Sequence, residues 1–187
     1  MKKVFAVLLL LLLLTGCGQP QLPDHWEADW TVVCPVLAVE PLEGFELNES
    51  NDALYLSGIY YATWTSGEPR PHTNEKGEEA EIFDAQIYVL ANEFRNEAAA
   101  ATEVEKWKAR EAQTYQTGNS YPLNVGGQDF EVLPLLDARE ANPYTGGMAA
   151  FAVRGAWACC VELVHAEDFD GDAAAILEAF LSGFHYN

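Results

Sequence analysis

Three thiols carry the most reactive chemistry in this chain: Cys34 and the adjacent Cys159 and Cys160 in the run ACCVELVH. A nucleophilic thiolate needs a base beside it, and for Cys160 the imidazoles on offer are His165 and His72. Successive strand residues point to opposite faces, so Cys159 and Cys160 cannot easily share a metal or a base. The four histidines (His25, His72, His165 and His185) have no ligand spacing, and no zinc motif is present. The acids of EDFDGD, Asp168, Asp170 and Asp172, alternate as in a calcium loop. Counted from Asp168, however, Ala173 stands where the loop needs Gly and Ala179 where it needs Glu. A turn followed by an Asp172 N-cap explains the same residues. Tyr60, Tyr61 and Trp64 in GIYYATW, with Tyr144 in NPYTGG, are the candidate ligand-contact aromatics for a glycan or peptide. Strand alternation puts Tyr60 and Trp64 on one face and Tyr61 on the other, so one set is expected in the core. No G-x-S-x-G, H-E-x-x-H, P-loop or dinucleotide fingerprint occurs. No catalytic residue, metal ligand or cofactor is assigned.

The fourth cysteine, Cys17, ends a leader. Lys2 and Lys3 precede an apolar run from Val4 to Leu14. As a helix this run spans roughly 16 Å against about 30 Å of hydrocarbon, too short to cross a bilayer but normal for a signal peptide. Leu14-Thr15-Gly16-Cys17 resembles the lipobox of bacterial lipoproteins. The resemblance implies a signal peptide over 1–16, a diacylglyceryl group on Cys17, and residence on the outer face of a cell membrane or in an outer membrane. Residues 17–29, with Pro20 and Pro23, are expected to form a flexible tether, and 30–187 a single domain.

With 29 acidic and 10 basic residues, the net charge is −19. Such a surface repels nucleic-acid phosphates and anionic headgroups, which excludes nucleic acid as a partner and leaves membrane attachment to the lipid. An extracytoplasmic site permits a disulfide. The expected bridge joins Cys34 to one of the vicinal pair, Cys160 in the preferred assignment. Three buried, reduced thiols are the alternative.

The elements that must position these residues follow from pattern. WTVVCPVLAV reads as one strand with an edge or bulge at Pro35. PLEGFELN reads as a turn into a short extended piece. ALYLSGIYYATWT gives two strand segments broken at Gly58, Ser66 to Glu79 a long loop, and AEIFDAQIYVLA one strand. Asn96 caps a helix near 97–113 whose buried stripe is Ala100, Val104 and Trp107. Gly126-Gly127 and Arg154-Gly155 mark hairpins, NPYTGG a loop, and a last helix runs near 172–184. The expected fold class is α+β: an antiparallel sheet of about six to seven strands packed by two main helices.

This order is similar to the PsbP-like superfamily of α/β/α sandwiches, through PLEGFELN, the mid-chain helix and the ending VELVHAEDFDGDAAAILEAFLSGF. That superfamily consists mostly of accessory and binding proteins. The resemblance implies a non-enzymatic binding or accessory role for a lipid-anchored envelope protein, with an envelope protein, peptide or glycan as partner. The alternatives are a small cell-envelope hydrolase or thiol enzyme using Cys159 or Cys160, and a solute-capture lipoprotein.

Overall fold

A computed structural model describes residues 26–50, 58–73, 77, 79–139 and 142–187. The expected signal peptide, Cys17 and most of the expected tether lie outside them. Thirteen strands and two helices form, and 52 % of the described residues lie in strands. The α+β expectation is therefore corrected to a β-rich fold with three sheets, the largest of eight strands rather than six or seven. The reason is that several apolar runs break and pair with themselves.

WTVVCPVLAV makes two strands, β1 (Thr31–Cys34) and β2 (Leu37–Val39), folded back on each other with Thr31 opposite Val39. Pro35 lacks the N–H that one continuous strand would need and sits in the reversal instead. β3 (Glu46–Ser50) and β4 (Ile59–Ser66) follow. The expected long loop contains β5 (Arg70–Thr73), which pairs with β6 (Glu79–Ile82) in a small two-stranded sheet. AEIFDAQIYVLA divides at Phe83 and Asp84 into β6 and β7 (Ala85–Glu93). Arg70 clamps that division by pairing with Asp84 at 3.0 Å and Asp168 at 2.7 Å.

Helix α1 (Glu97–Thr114) starts as expected, with the Asn96 side chain accepting from the Ala99 N–H at 3.0 Å. It buries Ala100, Val104, Trp107 and Glu111. It is followed by β8 (Tyr115–Thr117), β9 (Tyr121–Val125) and β10 (Gln128–Ala138). β11 (Gly146–Arg154) and β12 (Trp157–His165) complete the meander. Both glycines of NPYTGG belong to β11 and not to a loop. The chain ends in α2 (Ala173–Ser182) and β13 (Phe184–Tyr186), a strand that sequence pattern did not mark.

The large sheet is antiparallel in the order β3-β4-β7-β12-β11-β10-β8, with β9 also on β10. α1 carries the chain from β7 across to the far edge, and β10, β11 and β12 step back to β7. One face meets α2 and the three-stranded sheet β1-β2-β13, enclosing Trp64, Val89, Val161, Leu177 and Phe180. The other face meets α1 and encloses Trp107, Tyr115, Leu133, Phe151 and Cys160. Burying both faces of a sheet this wide is the main hydrophobic gain, about 25 cal/mol per Å² of apolar surface.

Candidate functional site

The sheet sorts the candidate residues. Cys34 and Cys159 lie in the α2-side core, Cys160 in the α1-side core, and all three are free thiols. The sheet itself stands between Cys34 and Cys160, the pair preferred for a bridge. Cys160 and His165 also face opposite ways, and five residues of strand separate them by roughly 16 Å. His165 turns to its own turn, with Nδ1 3.0 Å from the Ala166 carbonyl and its ring stacked on Phe169 at 5.3 Å. Burial pushes the Cys34 thiol up to about 12 and raises Cys159 and Cys160 as well. None is a thiolate near neutrality, so none is a ready nucleophile. In a Cys17→Ala variant, which has only these thiols, a disulfide thiol reagent should modify none within minutes under native conditions. All three should react in denaturant. One fast native equivalent would return a thiol to the chemistry.

The acids of EDFDGD do not converge. Asp168 accepts from Arg70 Nη1 at 2.7 Å, and Asp172 caps α2 through the N–H groups of Ala174 and Ala175 at 3.0 and 3.1 Å. No group of three His, Cys, Asp or Glu residues able to hold a metal occurs among the described residues.

The aromatic set divides as alternation requires. Tyr60 and Trp64 are buried on the α2 side, at 6 % and 2 % exposure. Tyr61 is on the α1 side, and Tyr144 packs against that side's core. Cross-strand register lines these residues up. One row reads Thr63, Tyr88, Glu162, Ala149 across β4, β7, β12 and β11. The row beside it reads Thr65, Gln86, Val164, Gly147. Directly opposite side chains lie about 5 Å apart at Cβ; Thr63, Thr65, Ala149 and Val164 in these rows are buried, whereas Tyr88 and Gln86 are partly exposed. The Tyr61 ring stands 5.8 Å from that of Tyr88, and its hydroxyl donates to Glu49 Oε1 at 2.7 Å. The Tyr144 hydroxyl donates to Gln86 Oε1 at 3.0 Å and accepts the Phe83 N–H at 3.3 Å. α1 packs over β8, β10, β11 and β12, so the Tyr61–Tyr88 half of the face lies beside the helix rather than beneath it.

At the boundary sit two carboxyl groups that pattern reading missed. Glu111, on the last turns of α1, is 4 % exposed, and its carboxyl faces that of Glu162 on β12. Arg110 Nε lies 3.6 Å from Glu111 Oε1. Burial and the facing Glu111 raise Glu162 to about 8, with Arg110 working against them. Burial also raises Glu111. Tyr115 completes the corner: it is 3 % exposed, and its hydroxyl accepts from Asn142 Nδ2 at 3.2 Å. Signals for both acids were present. Glu111 continues the stripe of Ala100, Val104 and Trp107 by one more step, and Glu162 is the lone charge in the apolar run ACCVELV.

No family model matches this chain, and neither does any curated protein.

Proposed function

We propose that this chain is a lipid-anchored, extracytoplasmic binding protein that engages a basic peptide segment of an envelope partner on the Tyr61–Tyr88 face. The observation that carries this reading is the half-buried tyrosine pair Tyr61 and Tyr88, with ring centroids 5.8 Å apart, flanked by Gln86 and Tyr144. Tyrosines combine apolar area with a hydrogen-bonding tip and stack on cationic side chains. The net charge of −19 favours a cationic partner and disfavours an anionic one. The raised thiols and the turned-away His165 favour binding over thiol chemistry. Membrane attachment in this reading comes from Leu14-Thr15-Gly16-Cys17, since none of the described helices is long and apolar enough to cross a membrane. Attachment through two acyl chains is stable where one is marginal. β1, where the folded part begins, belongs to the small sheet on the α2 side, and the tyrosine face is on the other side of the large sheet.

Two measurements test the two halves of the reading. Cys17→Ala should move the protein from the detergent phase to the aqueous phase; retention in detergent would refute the anchor. A lysine-rich peptide titrated into the labelled domain should shift amide resonances around Tyr61, Tyr88 and Gln86, and a Tyr61→Ala/Tyr88→Ala variant should lose those shifts. Perturbation only elsewhere, or only by a neutral N-acetylated sugar oligomer, would overturn the peptide assignment.

A further inference from the structure

The large sheet ends on one side at β3, and all five residues of that strand are exposed. Among the described residues β3 pairs with β4 alone. An edge strand turns the N–H and C=O groups of alternate residues away from its neighbour, so β3 presents a row of backbone donors and acceptors. The other end of the sheet offers less. There β8 has only three residues, and β9 contains Pro122, which has no N–H to donate. We infer that β3 takes up an extended partner segment of alternating basic and apolar residues as an added strand. The inference rests on the binding reading and deepens it, by naming how the basic peptide lies and what pattern it carries.

The register of β3 on β4 selects that pattern. Glu46 lies opposite Thr65, and Leu47 lies opposite Trp64. The next pair is Glu49 with Thr63, because Asn48 is taken up in a β-bulge. Without the bulge Asn48 would face Thr63, and Glu49 would fall on the α2 side of the sheet, as Leu47 does. With it, Glu49 joins Glu46 on the α1 side, where the Tyr61 hydroxyl donates to Glu49 Oε1 at 2.7 Å. The extra residue therefore gathers both carboxylates on the tyrosine side of the edge. Leu47, 47 % exposed, is left on the other side. β3, β4 and β7 contain no lysine or arginine, so these strands supply no counter-charge.

β4 meets Glu46 and Glu49 with two residues at i and i+2 and meets Leu47 with the residue between them. A strand laid along the outer edge follows the same contour. Its basic residues at i and i+2 face the two glutamates, and the apolar residue between them faces Leu47. The Tyr61 ring is next to Glu49 on that face and gives the methylene stems of the basic residues an apolar surface to rest on. Main-chain pairing supplies affinity in this mode, and the alternate side chains supply specificity. A second copy of this chain is a poor occupant. Antiparallel pairing of two β3 strands would bring Glu46 and Glu49 of both copies together on one face, and each copy carries a net charge of −19.

The test uses the isotope-labelled full chain in a non-ionic detergent and a capped peptide of alternating lysine and valine. We expect the amides of Glu46–Ser50 to shift and gain protection from exchange, with backbone-to-backbone Overhauser contacts between peptide and β3. The same peptide with its amides N-methylated keeps every charge but loses its main-chain donors, so it should bind about tenfold more weakly or worse. Glu46→Lys/Glu49→Lys changes two exposed residues and should leave the melting temperature nearly unchanged. It should reject the lysine–valine peptide and accept a glutamate–valine one. Shifts around Tyr61 and Tyr88 that survive N-methylation, with the β3 amides unprotected, would overturn the added strand and leave the tyrosine-face reading standing. No shift at any residue would overturn both. β3 amides that gain protection with protein concentration alone would show a second copy on the edge and overturn the inference.

Discussion

Gly147→Ala should unfold this protein or leave it barely stable. Gly147 lies inside β11, between Leu135 of β10 and Val164 of β12. Its φ is +157°, and a Cβ built there would run into the Leu163 carbonyl oxygen and stand 2.9 Å from both the Leu163 carbonyl carbon and the Val164 Cα. These are backbone atoms of a strand hydrogen-bonded to β7 on its far side, so no side-chain rotation makes room. Either β11 separates from β12 or the ladder shifts, and both open the centre of the sheet. Overpacking costs typically 1–3 kcal/mol where side chains can adjust, and a backbone collision belongs at or above the top of that range. Total stability of a domain is about 5–15 kcal/mol, so the loss is a large share of it. Gly44→Ala is the comparison. Its φ is +82° but no atom lies within 4 Å of the new methyl, so only the left-handed conformation is penalised, by about 1–2 kcal/mol. Urea denaturation of both variants settles the matter: equal midpoints would show that the Gly147 collision is absorbed without cost.

The same position shows how local signals were read and where they ended. NPYTGG has the composition of a loop, and a glycine pair near a turn residue is ordinary loop chemistry. What makes Gly146 and Gly147 strand residues is the tight approach of β10 and β12 on either side, which no window of sequence around them records. Where the determinant is local, sequence and structure agree. Asn96 and Asp172 cap the helices as expected, and Ala100, Val104 and Trp107 form the buried stripe. The Gly126–Gly127 turn joins β9 to β10, and the Gly155 turn joins β11 to β12. Where it is partner choice, they differ. Pro35 was legible as a breaker, but that the chain reverses there depends on β2 also pairing with β13, some 145 residues later. The Arg70–Thr73 run became a strand because Glu79–Ile82 was available to it. Fold class failed for this cumulative reason: several short strands, each weak alone, outnumber the two helices that were easy to see. The candidate site was half legible. Tyr61 and Tyr144 stand out in the sequence, whereas Glu111, one step on from the buried stripe, and Glu162, the lone charge in an apolar run, gain their meaning only where a helix and a strand 51 residues apart meet.

Trp64→Ala should cost far more stability than Tyr61→Ala, although the two aromatics are three residues apart on one strand and were equal candidates for ligand contact. Trp64 is 2 % exposed, and its ring meets Phe180 of α2 edge-on at 5.0 Å. It sits opposite Ile87 and is a contact between β4 and the second helix. Truncating a buried tryptophan costs about 3–5 kcal/mol, of which a cavity that the rigid sheet cannot collapse is part. With about 2–4 °C of melting temperature lost per kcal/mol in a domain of this size, the variant should melt roughly 10 °C lower or more. Tyr61 offers much less to lose. Its hydroxyl pairs with Glu49 on the exposed strand β3, and its ring rests against that of Tyr88. Its removal should cost about 1 kcal/mol. The contrast separates core from surface on a strand where the alternation of side chains allowed either assignment of faces. Matched losses in thermal melts of the two variants would mean that Tyr61 is held as firmly as Trp64, and the α1-side tyrosines would then be a second core rather than a surface on which a partner could bind.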